Sequence, residues 1–163
     1  MKLEPLEQWI CDRCGQVIES PEQGMVEWLQ EKDETVPYYR AYGFHIIHHD
    51  VYSPSAPYNN CHLYRDSVCD MHLHEFVGPK GLVFLCSFLD GGPDEEYRGP
   101  EVRDIREWLE LVRRVQLPGY EEARKYWADA EEDGLLEDTQ WTRYFPETLQ
   151  EIIEKYRPKE EED

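Results

Sequence analysis

The hydrophobic pattern in the first half of the chain predicts a β-hairpin. Residues 24–30 alternate apolar and polar positions, which is typical of a half-buried strand. Glu27, between Val26 and Trp28, is the polar position of that pattern. Residues 42–49 are rich in aromatic and β-branched side chains and predict a second strand. The acidic stretch between the two segments suits a long hairpin loop.

Beyond Gly78 the pattern predicts one helix after another. Proline at the first helical position marks four expected helix starts, at Pro79, Pro100, Pro118 and Pro146. Apolar residues then recur at helical spacing in three stripes, and Gly134 is the expected end of the second stripe. Because aromatic side chains at this spacing usually lie in a core, the stripes are interpreted as packing surfaces. Their members are Ile105, Trp108, Leu109 and Val112, then Tyr120, Ala123, Trp127 and Ala130, and finally Leu149, Ile152, Ile153 and Tyr156.

The charge of the chain restricts its partners. The 36 acidic residues against 17 Lys and Arg give a formal net charge of −19. Such a field repels phosphate backbones and anionic membrane surfaces, so we expect neither direct nucleic-acid binding nor membrane binding. High solubility or a basic protein partner fits the charge better. The oligomeric state does not follow from the sequence.

The interpretation of the cysteines depends on whether the protein lies in a reducing compartment. Residues 1–10 lack a basic start followed by an apolar stretch, so the sequence predicts a cytoplasmic location. The longest mostly apolar run, residues 81–89, is too short to cross a bilayer. Cytoplasmic thiols stay reduced, and the number of cysteines is five, an odd number. These thiols therefore indicate metal binding, catalysis or packing rather than disulfides.

The segment Cys11-Asp12-Arg13-Cys14-Gly15 is the most specific local motif. Two thiolates with two residues between them can bind one tetrahedral ion, because the tight turn points both sulfurs inward. Glycine after the second cysteine allows a positive φ, which lets backbone N–H groups face the sulfurs. A redox dithiol is the alternative, but it commonly has Gly-Pro between its thiols. Asp12 and Arg13 at those positions favour a zinc knuckle.

A complete site needs two further ligands. The candidates are His45, His48, His49, Cys61, His62 and Cys69. In the second predicted strand, His48 shares the more apolar face with Phe44 and Ile46, and structural zinc usually lies at the edge of a core. We therefore predict a structural zinc site made of Cys11, Cys14, His48 and Cys61, with His49 as the alternate ligand. Four protein ligands close such a site, so it stabilises the fold and does no chemistry.

A metal-dependent hydrolase is the alternative function. Asp70, His72 and His74 form a D-x-H-x-H pattern that can bind a catalytic metal, with His49 or His62 completing it. The order of six residues also resembles that of the HNH nucleases, namely His48, His49, Asp50, Asn59, Asn60 and His62. Against this stand the missing second C-x-x-C pair, the few basic residues and the acidic charge. Six histidines in one chain also produce such clusters by chance.

Four short motifs carry a resemblance to other proteins: WICDxCG at 9–15, GxVEW at 24–28, HIIHH at 45–49 and PGYEEAR at 118–124. Together they resemble a family of small uncharacterised bacterial proteins, over most of the chain from Trp9 to about Tyr156. The resemblance implies one continuous unit with a metal at Cys11 and Cys14. It implies no particular activity.

The sequence predicts an α+β fold in which an N-terminal zinc-knuckle and β-hairpin module packs on a C-terminal helical bundle. The module is expected to span residues 1–77 and the helices 78–158, as one folding unit, with 159–163 as an acidic tail. The predicted function is a non-enzymatic protein-interaction or regulatory module. A mimic of nucleic-acid charge is a further alternative, because the acidity permits it.

Overall fold

The computed structural model describes residues 2–54, 60–64, 68–91 and 99–158, so the predicted acidic tail and Asn59 lie outside the described residues. The fold is α+β, as predicted. Its strands are β1 (Trp9–Ile10), β2 (Val17–Ile18), β3 (Gly24–Lys32), β4 (Tyr39–His48), β5 (Val68–His72) and β6 (Glu101–Val102). Its α-helices are α1 (Gly78–Asp90), α2 (Ile105–Gln116), α3 (Tyr120–Ala123), α4 (Trp127–Glu132) and α5 (Pro146–Tyr156).

The predicted hairpin forms the middle of a four-stranded sheet with the order β5-β3-β4-β6. β3 and β4 pair antiparallel, with Val26 opposite Ile46. β5 adds antiparallel to β3, whereas β6 adds parallel to β4 and places Glu101 opposite Arg40. β6 lies inside the region that the hydrophobic pattern assigned to helices. β1 and β2 form a separate two-stranded ribbon that holds the turn between Cys11 and Cys14.

A bulge bends β4 at Gly43. The register between β3 and β4 shifts between Glu27 and Leu29, so that β4 has one residue more than its partner there. Gly43 has φ of +70°, and the Tyr64 hydroxyl donates a hydrogen bond to its carbonyl oxygen. A Cβ at this position would collide with that hydroxyl. The bulge therefore requires glycine both for its backbone conformation and for the close approach of Tyr64.

The prediction of a half-buried strand at 24–30 is wrong for its first part. The first five residues of β3 are all buried, and the side chain of Glu27 is 0% exposed. Glu27 pairs with residues of the segment 60–64, namely His62 and the backbone of Leu63. This segment therefore covers a face of the sheet that the alternating pattern had assigned to solvent.

Two of the four expected helix starts are wrong. Pro79 and Pro146 do lie in the first turn of α1 and α5. Pro100 precedes β6 instead, and α2 begins only after Asp104, whose side chain caps the helix by accepting from the N–H of Arg106. Pro118 lies before Gly119, the residue that precedes α3. In both cases the chain needs extra residues to turn before its helix can start.

The core has two parts. The first contains the sheet, the β1–β2 ribbon, α1 and α2, with Trp9, Ile46 and Trp108 fully or almost fully buried. The second contains α3, α4 and α5 around residues such as Ala123 and Ile152. Among the residues that the structure describes, the helices are all too short or too polar to cross a membrane. Helices α1 and α2 therefore belong to the same core as the sheet and the β1–β2 ribbon.

Candidate metal centre

Four side chains from three parts of the chain meet at one end of β4. Cys11 and Cys14 come from the turn between β1 and β2, His48 ends β4, and Cys61 lies in the segment 60–64. One ligand atom from each lies within 4.8 Å of all the others. His48 Nδ1 is 3.5 Å from the sulfur of Cys14 and 3.8 Å from that of Cys61. The cluster can hold a metal ion.

These distances can be compared with a tetrahedral metal site. With metal–sulfur bonds of about 2.3 Å and metal–nitrogen bonds of about 2.0–2.1 Å, a tetrahedron places sulfur and nitrogen about 3.6 Å apart. The two sulfur–nitrogen distances, 3.5 and 3.8 Å, lie on either side of this value. The donor set and these two distances therefore both fit a four-coordinate ion.

Backbone hydrogen bonds shape the turn that carries the first two cysteines. The N–H of Cys11 donates to Gln16 O, and the N–H of Gly15 donates to Cys11 O, both at 2.9 Å. Gly15 has φ of +71°, the conformation expected after the second cysteine of a knuckle. The backbone N–H groups of Cys14, His48 and Arg13 face the Cys11 side chain and act to lower the pKa of its thiol. The turn and the last residue of β4 thus direct several donors at one sulfur.

Burial opposes charge on Cys11. Desolvation raises the pKa of the Cys11 thiol to about 12, although the backbone hydrogen bonds act in the opposite direction. A thiolate at this position therefore needs a cation, and a bound metal supplies one because it removes the proton outright. Cys14 is more accessible and lies at the surface. Solvent approaches the cluster from the Cys14 side.

A second hydrogen bond fixes the ring of His48. Its Nε2 lies 3.1 Å from the carbonyl oxygen of Val17, so Nε2 carries the proton and donates it. Nδ1, the nitrogen that faces the two sulfurs, is then left with its lone pair free for a metal. The β1–β2 ribbon therefore supplies both the knuckle and the carbonyl that orients the histidine.

A buried carboxylate tethers the segment that carries Cys61. Glu27 Oε1 accepts from the N–H of Leu63 at 2.7 Å, and Oε2 lies 2.8 Å from His62 Nδ1. Asp50 Oδ1 lies 3.2 Å from the other ring nitrogen of His62. The two residues after Cys61 are thus held to the middle of the sheet. Sequence reasoning missed Glu27, because an acid in an alternating strand gives no sign of burial.

An ion network links the knuckle to the helices. Asp12 accepts from the N–H of Ile46 at 2.7 Å and from Arg114 Nη1 at 2.7 Å. Burial opposes its ionisation, but His45, Arg114 and the Ile46 N–H outweigh burial, so the pKa of Asp12 lies well below its usual range. Arg114 also binds both carboxylate oxygens of Glu121.

The remaining histidines form a different arrangement. His49, the alternate ligand, lies outside the cluster; its Nδ1 accepts from the N–H of Val51. Its ring stacks on His72, and His72 stacks on His74, each with 5.3 Å between ring centroids. Lone pairs lie in the ring planes, so nearly parallel stacked rings do not point them at one ion. Within the described part of the chain, Cys11, Cys14, His48 and Cys61 are the group found to be suited to a metal.

No protein-family model, curated protein or solved structure matches this chain.

Proposed function

We propose that this protein binds one structural zinc ion through Cys11, Cys14, His48 and Cys61. The observation that carries the proposal is the convergence of three thiols and one oriented imidazole within 4.8 Å. Sulfur-rich tetrahedral sites favour zinc over magnesium, calcium or manganese, which prefer oxygen ligands. The free Nδ1 of His48, fixed by Val17, supports the same assignment.

We further propose that the protein acts as a non-enzymatic interaction or regulatory module in the cytoplasm. Four protein ligands leave no open position for water or substrate, so the zinc would stabilise the fold rather than catalyse. The net charge of −19 favours a basic protein partner that is steered by long-range attraction. Similarity of the four sequence motifs to small bacterial proteins is part of this proposal.

Metal counting tests the zinc site. Native mass spectrometry of the full chain should show one zinc per chain, retained during dialysis against manganese. Cys61→Ser should lose the zinc and lower the melting temperature, whereas Cys86→Ser, at an exposed cysteine on α1, should change neither. Full zinc content in the Cys61→Ser protein would contradict the assignment.

Capture from host lysate tests the interaction module. A partner retained by the zinc-loaded chain should be basic and should dissociate as salt is raised from low to high concentration. Equal retention at both salt concentrations would overturn the electrostatic part of the proposal. A readily exchanged metal together with phosphoesterase or amidase activity would instead favour the hydrolase.

A further inference from the structure

Two exposed aromatic side chains lie on residues 137–145, the connection between α4 and α5. Trp141 is 86% exposed, more than any other large apolar side chain in the described part of the chain, and Phe145 is 53% exposed. Tryptophan normally buries most of its surface, and it is enriched among the residues that carry the binding energy where proteins meet. This connection, the aromatic turn, is therefore a candidate contact surface.

The aromatic turn is held to the rest of the chain on both sides of Trp141. The N–H of Arg143 donates to the carbonyl oxygen of Thr139 at 2.8 Å and so closes a loop around Trp141. The ring of Tyr144 stacks on that of Trp127, with 5.4 Å between ring centroids, and ties the turn to α4. A tryptophan presented by a backbone that is already fixed loses little conformational freedom when it binds.

The charges around the aromatic turn determine which partner it attracts. Residues 129–151 contain eight acidic residues and one basic residue, so this short stretch carries −7 of the net charge of −19. Glu137 and Asp138 are exposed shortly before Trp141 in the chain, and Glu147 is exposed shortly after it. Such a concentration of carboxylates attracts a cation to the turn and repels an anion.

A ring of the same turn already binds a cation of this protein. The guanidinium carbon of Arg113 lies 4.0 Å from the centroid of the Tyr144 ring. A guanidinium stacks on aromatic faces more readily than an ammonium does, because it is planar and less strongly hydrated. Tryptophan offers the strongest face for this contact. The exposed ring of Trp141 can therefore make the same contact with a guanidinium from another molecule.

We propose that the aromatic turn binds an arginine side chain of a basic protein segment. The guanidinium stacks on the indole of Trp141, and the exposed carboxylates of the turn attract the segment and offset its charge. The inference rests on the proposed function, which requires a basic protein partner but does not say where that partner docks. It places the docking surface on the core formed by α3, α4 and α5, which does not contain the four residues of the candidate metal centre.

Two synthetic peptides of equal length and charge separate stacking from long-range attraction. One alternates glycine with arginine, and the other alternates glycine with lysine. Each is titrated into the full chain at low salt, and NMR follows the backbone amide signals for affinity and the indole N–H of Trp141 for contact. We expect both peptides to bind, the arginine peptide more tightly, and the Trp141 signal to shift. Trp141→Ala assigns that signal by its disappearance.

Trp141→Ala should weaken binding of the arginine peptide about twofold to fivefold, the usual effect of one exposed cation–π contact, and remove its advantage over the lysine peptide. The fold tolerates this change, since the side chain is 86% exposed. Tyr39→Ala is the control, because it removes another exposed aromatic ring, on β4, and should leave binding unchanged.

Two outcomes would overturn the inference, and they differ in what they mean for the proposed function. If Trp141→Ala binds the arginine peptide as tightly as Tyr39→Ala does, the aromatic turn is not the docking surface, although the basic partner stands. If neither peptide binds the wild-type chain at low salt, the attraction itself is absent, and the electrostatic part of the proposed function fails as well.

Discussion

Asp12 and Arg114 form an ion pair across 102 positions of sequence, with 2.7 Å between Oδ2 and Nη1. Asp12 stands between the two cysteines of the knuckle, and Arg114 lies on α2. The same guanidinium binds Glu121 at 2.7 and 2.9 Å and donates to the carbonyl oxygen of Ile10 at 3.0 Å. One buried arginine therefore joins the candidate metal centre to two helices.

Arg114→Met should destabilise the protein strongly. Arg114 is 5% exposed, and its loss leaves the carboxylates of Asp12 and Glu121 without their main partner. Breaking a buried ion pair from one side costs about 3–5 kcal/mol in the free energy of unfolding. Urea denaturation measures the loss. Arg106→Met, at an exposed position of the same helix, is the control and should change stability by less than about 0.5 kcal/mol. A loss below about 1 kcal/mol for Arg114→Met would show that the network is not stabilising.

Local spacing explains why part of the site could be predicted from the sequence. Two cysteines with two residues between them need only a local turn to bring their sulfurs together. The face of β4 that carries Phe44 and Ile46 also carries His48. The hairpin followed from local residue types in the same way: alternation in the first strand, and aromatic and β-branched side chains in the second. Each of these features depends on residues that are close together in the chain.

Long-range pairing explains what the sequence did not reveal. β6 is two residues long and exists as a strand by pairing with Arg40 and Ala41, some 60 positions earlier, so no local pattern marks it. The burial of Glu27 depends on His62 and Leu63, and that of Glu121 on Arg114. From the sequence alone an acidic residue is predicted to be solvent-exposed, because the distant partner that allows its burial is not known.

Glu27→Leu should weaken metal binding without removing a ligand. The substitution keeps side-chain volume in β3 but removes the acceptors for Leu63 N–H and His62, so the segment that carries Cys61 loses its tether. Residues that hold metal ligands in position usually contribute about tenfold to a hundredfold in metal affinity. Competition with a chelator measures the affinity for zinc. Glu31→Leu, near the exposed end of the same strand, is the control and should bind zinc as the wild type does. Unchanged affinity in Glu27→Leu would contradict the positioning role.

Affinity for zinc should fall steeply as the pH is lowered. Three thiols must lose their protons to bind the ion, and burial raises the pKa of the Cys11 thiol to about 12 without a metal. Displacing two to three protons weakens binding by about a hundredfold to a thousandfold for each pH unit below neutrality. Chelator competition between about pH 6 and 8 measures the slope. Affinity that does not change with pH would rule out thiolate ligands.

Glu122 should contribute stability that is lost in acid. This buried residue of α3 accepts from the N–H of Leu3 at 2.9 Å and from Arg157 Nε at 2.6 Å, so it joins the two ends of the described chain. Burial acts to raise its pKa, but the bonds from Arg157 and Leu3 outweigh burial, and the pKa of Glu122 lies below its ordinary value. Its contribution is therefore fully present above the ordinary glutamate pKa of about 4.3 and is lost as the pH falls through the folded-state pKa.

Glu122→Gln tests this pH dependence. At neutral pH it should lower the free energy of unfolding by about 1–3 kcal/mol, the usual cost of a charged hydrogen bond, and the deficit should shrink as the wild type is protonated below about pH 4. Urea denaturation at several pH values between about 7 and 3 measures it. Glu151→Gln, at an exposed position of α5, removes the same charge and controls for net charge and for metal loss in acid, which affect both variants alike. A deficit for Glu122→Gln that stayed constant across this range would mean that the carboxylate contributes by packing rather than by its charge.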